Sequence, residues 1–229
     1  MTVLAPGSIL QLMFFKKQIA TFKGKTFLEV GPGSGNLTDL LLKRGLRGTL
    51  VELSKDACDQ LAERFADEIE KGNLIIKNSS FLSESTNDLY DLILSAMVLE
   101  HLNDADEKFF IQKCEERLST NGVLMLFVPS NPKYWGVDDE IAGHFRRYTK
   151  LRLCEVVTEF NLNIELISGL TFPLSNILLP ISNYFVNRSE SYKMQLDMNS
   201  RTLLSGHKNV MYKTVFPIYF KFILNEFML

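Results

Sequence analysis

Short apolar runs alternate with segments of helical periodicity through the first two-thirds of the 229-residue chain. The apolar runs are nearly continuous, which is typical of strands covered on both faces of a parallel sheet. They predict strands at 25–30, 48–53, 73–78, 89–98 and 123–129. Apolar residues three and four positions apart predict helices at 36–45, 55–72 and 104–118. The alternation predicts an α/β fold: a doubly wound, mainly parallel sheet with helices on both faces.

The segments that flank this alternation have other patterns. Residues 1–24 predict an N-terminal helix that begins near Pro6, and a sixth strand is predicted at 161–170. Together these bounds predict a cofactor-binding core over 25–170. Residues 171–229 are apolar, punctuated by proline and rich in aromatic residues, and they predict a helical C-terminal cap. A peripheral membrane contact by this apolar tail is the alternative that we leave open.

A glycine cluster follows the first predicted strand and precedes the first predicted helix: Gly31, Gly33 and Gly35. Glu52 ends the second predicted strand, 21 residues after Gly31, and Ser95 lies near the end of the fourth. Ligands of such sheets bind beyond the carboxyl ends of the strands, where an acid can accept hydrogen bonds from both ribose hydroxyls. The spacing therefore predicts a nucleoside-containing ligand. Asn36 breaks the GxGxxG spacing of dinucleotide-binding loops, which disfavours a nicotinamide-dependent oxidoreductase.

The net charge and the cysteine content further narrow the possible classes of protein. A formal net charge of −2 gives no overall nucleic-acid footprint. The odd number and wide spacing of Cys58, Cys114 and Cys154 predict a reducing, cytoplasmic location and no zinc site, and we predict no metal ligands elsewhere. No run of about eighteen apolar residues is present, so we predict no membrane span.

Four ordered segments, FLEVGPGSG, LVELS, YDLILSAMVLEHL and LSTNGVLMLFVPSN, resemble the class I methyltransferases that use S-adenosylmethionine. The resemblance covers about residues 25–131 and implies S-adenosylmethionine as the cofactor and S-adenosylhomocysteine as its product. It implies that the glycine loop wraps the methionine part and that Glu29 holds the loop. It also implies that Glu52 binds the ribose and Leu53 lies along the adenine. Many members have an acid after the third strand, where this chain has Ser79 and Ser80 as substitutes for the adenine contact.

Two histidines are the candidate catalytic residues. His101 follows the fourth predicted strand, near the expected position of the methyl group; it is either a general base or a hydrogen-bond partner of the backbone. His144 belongs to a loop, 129–149, that topology places over the same pocket as a lid. Its GHFRRY segment resembles one carried by a subset of the family associated with glycan, lipid and secondary-metabolite pathways.

Adjacent arginines in this loop suit an anionic acceptor, because guanidinium groups bind carboxylates and phosphates bidentately. We predict that His144 and Arg146 face the pocket and that Tyr148 and Trp135, the only tryptophan, contribute to the acceptor site. The alternative is a salt-bridged hinge of the lid.

The sequence therefore predicts a methyltransferase that acts on an oxygen or nitrogen atom of a small acceptor. In one variant of this hypothesis, the acceptor is anionic or is linked to a glycan or lipid. The alternative from another class is a non-catalytic cofactor-binding subunit that acts through a partner. It is motivated by the missing acid after the third strand and by a tail without a recognisable seventh strand. No nucleic-acid partner is expected, and the acceptor's identity and the oligomeric state stay open.

Overall fold

The computed structural model describes residues 6–170, 184, 187–188 and 191–205. The chain divides into two compact units. The first comprises Met1–Phe22, Gly136–Ala142 and Ser168–Leu229, and the second comprises Lys23–Trp135 and Gly143–Ile167. Residues 136–142 of the predicted lid thus group with the first unit, whereas the remainder of that loop groups with the second.

The second unit is built on a five-stranded sheet in which all neighbouring strands are parallel. The strands are β1 (Thr26–Val30), β2 (Arg47–Glu52), β3 (Leu74–Asn78), β4 (Tyr90–Ala96) and β5 (Leu118–Phe127). Their order across the sheet is β3-β2-β1-β4-β5. The chain therefore leaves β1 in one direction and returns beside it with β4. Ligands of open parallel sheets bind at this point of reversal, beyond the ends of β1 and β4.

Helices follow the strands as the sequence predicts. In this unit they are α2 (Asn36–Leu42), α3 (Lys55–Arg64), α4 (Ala66–Glu70), α5 (Asp104–Arg117) and α7 (Lys150–Thr158). The first unit contains α1 (Pro6–Ile19), α6 (Val137–Ala142) and α8 (Met198–Ser205) among its described residues. Right-handed crossovers place α2 and α3 on one face of the sheet and α5 on the other, because the strand order reverses at β1.

Side chains from the central strands form the core of the second unit. Leu28, Ile93 and Leu50 are completely buried, as expected for strands that are covered on both faces. Phe110 and Ile111 of α5 pack into the same apolar cluster as Leu28 and Ile93. The predicted α/β fold with a doubly wound parallel sheet is confirmed.

Three predictions about individual elements need comment. The sixth strand predicted at 161–170 is wrong: these residues form no strand and are largely exposed. The single helix predicted at 55–72 is divided at Phe65, whose φ of −115° and ψ of 26° interrupt the helix. The cap at 171–229 and its missing seventh strand lie mostly outside the described residues. Within the part of the chain that the structure describes, every helix is too short or too polar to span a lipid bilayer.

Candidate active site

The glycine loop connects β1 with α2 in a conformation that side chains resist. Gly31, Gly33 and Gly35 have φ values of 68°, 54° and 74°. A Cβ at Gly31 would lie 2.5 Å from Cγ2 of Val98, whereas a Cβ at Gly33 would meet nothing within 4 Å. The Gly31 amide donates to the carbonyl of Val51, 3.0 Å away, which ties the loop to the neighbouring strand. The loop therefore offers exposed backbone at Gly33, beside the point where the strand order reverses.

Glu29 lies beneath this loop with 1% of its surface exposed. Its Oε2 atom accepts a hydrogen bond from the Thr38 hydroxyl in α2 at 2.5 Å. Burial raises the pKa of Glu29 to about 8, and the Thr38 hydrogen bond opposes that rise only in part. Glu29 thus joins β1 to α2 through this hydrogen bond, and its predicted role toward the cofactor stays a prediction.

Glu52 ends β2 with its carboxylate already oriented. Oε1 of Glu52 accepts a hydrogen bond from the Ser54 amide at 2.8 Å. The backbone around it is fixed by Asn78, whose side-chain nitrogen donates to the carbonyls of Glu52 at 3.0 Å and Leu53 at 2.9 Å. The Leu53 side chain is 55% exposed, although it is apolar. One carboxylate and one accessible apolar side chain therefore lie at the end of the strand next to β1, the arrangement expected for a ribose and a base.

The serines predicted to contact the cofactor occupy different environments. The Ser79 hydroxyl donates to the carboxylate of Glu84, and this bond lowers the pKa of Glu84 although burial opposes the change. The Ser80 carbonyl accepts the amide of Ser83. Ser95 is paired with Val30 across β1 and β4, and its buried hydroxyl has no hydrogen-bond partner. Ser95 therefore reaches the point of strand reversal, and Ser79 is engaged with a protein carboxylate.

The segment after β4 turns sharply at Met97. This residue has a φ of 60°, a conformation that costs roughly 1–2 kcal/mol for a side chain other than glycine. Its amide donates to the Phe127 carbonyl at the end of β5, 2.8 Å away. A short 3-10 helix, Leu99–His101, begins directly afterwards. The turn thereby brings Glu100 and His101 to the carboxyl end of the sheet.

The two predicted catalytic histidines are in contact. The rings of His101 and His144 meet edge to face, with centroids 4.7 Å apart. Nε2 of His144 lies 3.9 Å from Oε1 of Glu100, whose side chain is completely buried. Burial and the proximity of His144 lower the pKa of His101 to about 4, against the effect of its hydrogen bond to the Gly143 backbone. The structure thus forms a compact group of one acid and two imidazoles.

Arg146 and Tyr148 contact a carboxylate of the protein itself. Nη1 of Arg146 lies 2.8 Å from Oε1 of Glu107 in α5, and Nη2 lies 3.0 Å from Oδ1 of Asp104. The buried Tyr148 hydroxyl lies 2.5 Å from the same Glu107 oxygen, to which it donates, and Arg152 completes the group with a salt bridge to Glu107. Burial, followed by the effect of Glu107, raises the pKa of Tyr148 above its usual value. The predicted acceptor contacts of Arg146 and Tyr148 stay predictions, since the observed partner of both is Glu107.

The two ends of the predicted lid are held together. The Asn131 amide donates to the Tyr148 carbonyl, and the Tyr148 amide donates to the Pro129 carbonyl, both at 2.8 Å. Trp135 is 40% exposed, and its amide donates to the Pro132 carbonyl. The loop therefore begins and ends at fixed positions beside β5, and the predicted acceptor contact of Trp135 is untested.

Sequence reasoning missed three contributors to this site. Asn78 follows no motif, and only the folded register of β2 and β3 shows that it bridges two carbonyls. The positive φ of Met97 has no sequence signal, because methionine is not typical of that conformation. Glu100 is visible in LEHL, but its approach to His144 depends on a contact between residues 44 positions apart.

The chain belongs to a recognised family: a model described as a methyltransferase domain matches residues 7–167, more than half of the sequence. This family and the structural neighbours of the chain are class I S-adenosylmethionine-dependent methyltransferases, so the predicted resemblance to that class is confirmed, whereas the likeness of the GHFRRY segment stays a prediction. The match supports a transferase and gives no support to a nicotinamide-dependent oxidoreductase.

Individual relatives are more distant. Ribosomal RNA small subunit methyltransferase A of Synechococcus sp. is 49% identical over 41 residues, which are 18% of this chain and 15% of the relative. Ubiquinone biosynthesis O-methyltransferase of Caulobacter vibrioides is 26% identical over 108 residues, which are 47% of this chain and 42% of the relative. The chain spans less than half the length of the curated relatives it matches.

Among solved structures, N-methyltransferase NodS from Bradyrhizobium japonicum, in complex with S-adenosyl-L-homocysteine, aligns with a TM-score of 0.58. The alignment has 20% sequence identity and covers 70% of this chain and 78% of NodS. At this identity the likeness shows the fold alone.

Proposed function

We propose that this chain transfers a methyl group from S-adenosylmethionine to an oxygen or nitrogen atom of a small acceptor. One observation carries the proposal: the Glu52 carboxylate, oriented by the Ser54 amide, ends the strand beside a glycine loop with three positive φ values. Family membership supports the same reaction class. A non-catalytic cofactor-binding subunit is not favoured, because the matching family is described as a methyltransferase domain.

The residues fit the two ends of the cofactor. Glu52 would accept the ribose hydroxyls, Leu53 would lie along the adenine, and the backbone at Gly33 would approach the methionine part without a side chain in between. Glu29, which lies beneath the loop, would hold the loop in place. Ser80 is the better-placed serine for the adenine edge, because the Ser79 hydroxyl is bonded to Glu84.

When bound, the cofactor supplies a methyl group that is already activated on a sulfonium, so positioning of the acceptor is the main demand on the protein. His101 follows the end of β4, the strand that pairs with β1, and His144 contacts His101. We propose that these two imidazoles contact the acceptor. The small-molecule class of acceptor is supported by the name of the Caulobacter vibrioides relative, an O-methyltransferase of ubiquinone biosynthesis.

Calorimetry with S-adenosylmethionine, S-adenosylhomocysteine and NAD tests cofactor choice. We expect both adenosyl compounds to bind and NAD not to bind. Glu52→Ala should weaken binding at least about tenfold, since a hydrogen bond to a charged group contributes about 1.5–3 kcal/mol. Glu70→Ala, at an exposed carboxylate that ends α4, is the matched control and should leave affinity unchanged. Preference for NAD, or equal affinities of Glu52→Ala and the unmodified protein, would overturn the cofactor site.

Methyl transfer itself is tested with isotopically labelled cofactor. The full chain is incubated with a whole-cell extract that contains both metabolites and RNA, and labelled products are identified by mass spectrometry. We expect a small labelled product, formed more slowly by His144→Ala although cofactor affinity is retained. Label found only in RNA would contradict the small acceptor and favour the chemistry of the ribosomal RNA methyltransferases among the relatives.

A further inference from the structure

We propose that Glu100, His101 and His144 bind a divalent transition-metal ion beside the carboxyl end of β4. Each residue offers one ligand atom, and these three atoms lie within 4.8 Å of one another. The sequence predicts no metal ligands, because its three cysteines follow no zinc motif. The proposal goes beyond methyl transfer, and metal binding is measurable without cofactor or acceptor.

The separation of the three atoms suits one ion. Metal–nitrogen and metal–oxygen bonds of about 2.0–2.2 Å allow two ligands of one ion to lie up to about 4.2 Å apart. Oε1 of Glu100 and Nε2 of His144 are 3.9 Å apart, within that range. No separation exceeds 4.8 Å, which is at most about half an ångström beyond this range, and small side-chain rotations can close that difference.

The backbone holds the ligands in this arrangement. Glu100 and His101 are neighbours in the 3-10 helix Leu99–His101. The amide of Phe145, next to His144, donates to the Glu100 carbonyl at 2.7 Å. This bond fixes two segments that are distant in sequence, so the cluster follows from the fold rather than from a chance approach of mobile side chains.

The hydrogen bonds of His101 are those expected of a metal ligand. Its Nδ1 atom is buried and has no hydrogen-bond partner. The Gly143 backbone acts on the His101 ring as a hydrogen-bond partner. A backbone carbonyl that receives one ring N–H fixes the tautomer and leaves the lone pair of the second nitrogen available for an ion. This pattern is typical of histidines that bind metals.

The acid adds the charge that such a site needs. Glu100 is completely buried. A buried carboxylate is costly unless a cation or several hydrogen bonds compensate its charge, and a metal ion is one such cation. A divalent ion with this carboxylate and two neutral imidazoles keeps one net positive charge.

The donor set selects the class of ion. Two imidazoles and one carboxylate suit Zn²⁺ and the neighbouring transition metals, whereas Mg²⁺ and Ca²⁺ prefer oxygen ligands alone. Three protein ligands leave coordination positions open, which is typical of catalytic rather than structural zinc sites. If the proposed methyl transfer is correct, an ion here would lower the pKa of an acceptor hydroxyl. That role rests on the proposed function, but binding of the ion does not.

The test uses the full chain, freed of metal with a chelator and titrated with ZnCl₂ by calorimetry in the absence of cofactor. The titration is run on a Cys154→Ser background, because Cys154 is the cysteine that is not fully buried and its thiol also binds zinc. We expect one equivalent of Zn²⁺ to bind and MgCl₂ to give much weaker binding. Co²⁺ should produce the visible absorption of a nitrogen–oxygen site.

Variants assign the ligands. Glu100→Gln and His144→Ala should each weaken Zn²⁺ binding at least about tenfold. His207→Ala removes the remaining histidine of the chain, and Glu70→Gln removes an exposed acid; both should bind Zn²⁺ normally. Circular dichroism checks that each variant folds, and His101→Asn replaces any variant that does not. Absence of stoichiometric Zn²⁺ binding, or loss of binding in His207→Ala with retention in His144→Ala, would overturn the proposal. Either result leaves cofactor binding at Glu52 intact, so the two proposals fail separately.

Discussion

Replacement of Glu29 by glutamine tests whether the carboxyl group beneath the glycine loop is protonated in the folded protein. The side chain is 1% exposed, and burial raises its pKa from 4.5 to about 8. The folded protein therefore keeps Glu29 protonated near neutral pH, whereas the unfolded chain ionises it. Glutamine has nearly the same size, retains an oxygen that accepts the Thr38 hydrogen bond and cannot ionise.

The magnitude follows from proton linkage. The stabilising contribution of protonated Glu29 is fully present below pH 4.5 and is lost as the pH rises to about 8. In this window the folded state binds more protons than the unfolded state, so the free energy of unfolding falls by up to about 1.4 kcal/mol per pH unit. Over the whole window the upper bound is roughly 5 kcal/mol. Glu29→Gln lacks this loss and should become more stable than the unmodified protein as the pH rises.

Urea denaturation of both proteins between about pH 5 and pH 8 provides the measurement. We expect their free energies of unfolding to diverge with rising pH, with glutamine the more stable at the upper end. Glu70→Gln, at an exposed carboxylate, is the control and should follow the unmodified protein at every pH. Parallel curves for Glu29→Gln and the unmodified protein would refute the conclusion that burial keeps this carboxyl group protonated.

Three further changes test other parts of the structure. Glu107→Ala should lower the free energy of unfolding by about 3–5 kcal/mol in urea denaturation, because it leaves buried positive charge and the Tyr148 hydroxyl without their acceptor. Gly31→Ala places a Cβ 2.5 Å from Val98 at a φ of 68°; it should cost about 1–3 kcal/mol and weaken S-adenosylhomocysteine binding in calorimetry. Asp91→Asn removes a carboxylate whose pKa is lowered, chiefly by the Lys25 amide. Acid titration of stability should therefore show the unmodified protein, but not the variant, losing this contribution as the pH falls below about 3.8.

The strands were predictable because their physical cause is local. A parallel strand that is covered on both faces must be apolar over most of its length, and the first five predicted runs meet that condition. The sixth run, at 161–170, also contains β-forming residues, but polar residues alternate through it. Among the described residues β5 is the edge of the sheet at that side, and 161–170 provides no further strand. A short alternating pattern shows that a segment can form a strand, but it does not show whether a neighbouring strand is available to pair with it.

The interruption of the helix at Phe65 could not be predicted from the sequence for a related reason. Apolar residues continue at helical spacing through Leu61, Phe65 and Ile69, so the pattern predicts one helix. In the structure Cε2 of the Phe65 ring lies 2.6 Å from the position that a Cβ of Gly35 would occupy. The interruption therefore accompanies close packing against the glycine loop, and that contact joins residues which no local pattern connects.

The sequence predicted that the GHFRRY segment binds an anion, but it did not predict which anion. Two arginines, a histidine and a tyrosine predict an anion, and the structure supplies one from α5, the completely buried Glu107. A guanidinium group forms the same kind of charge-assisted hydrogen bond with an internal carboxylate as with one on a ligand, so the sequence pattern alone cannot distinguish the two. An anionic acceptor would have to compete with Glu107 for Arg146, which costs the free energy of leaving a buried carboxylate uncompensated. His144 contacts Glu100 and His101, so it is the residue of the segment for which we predict the acceptor contact.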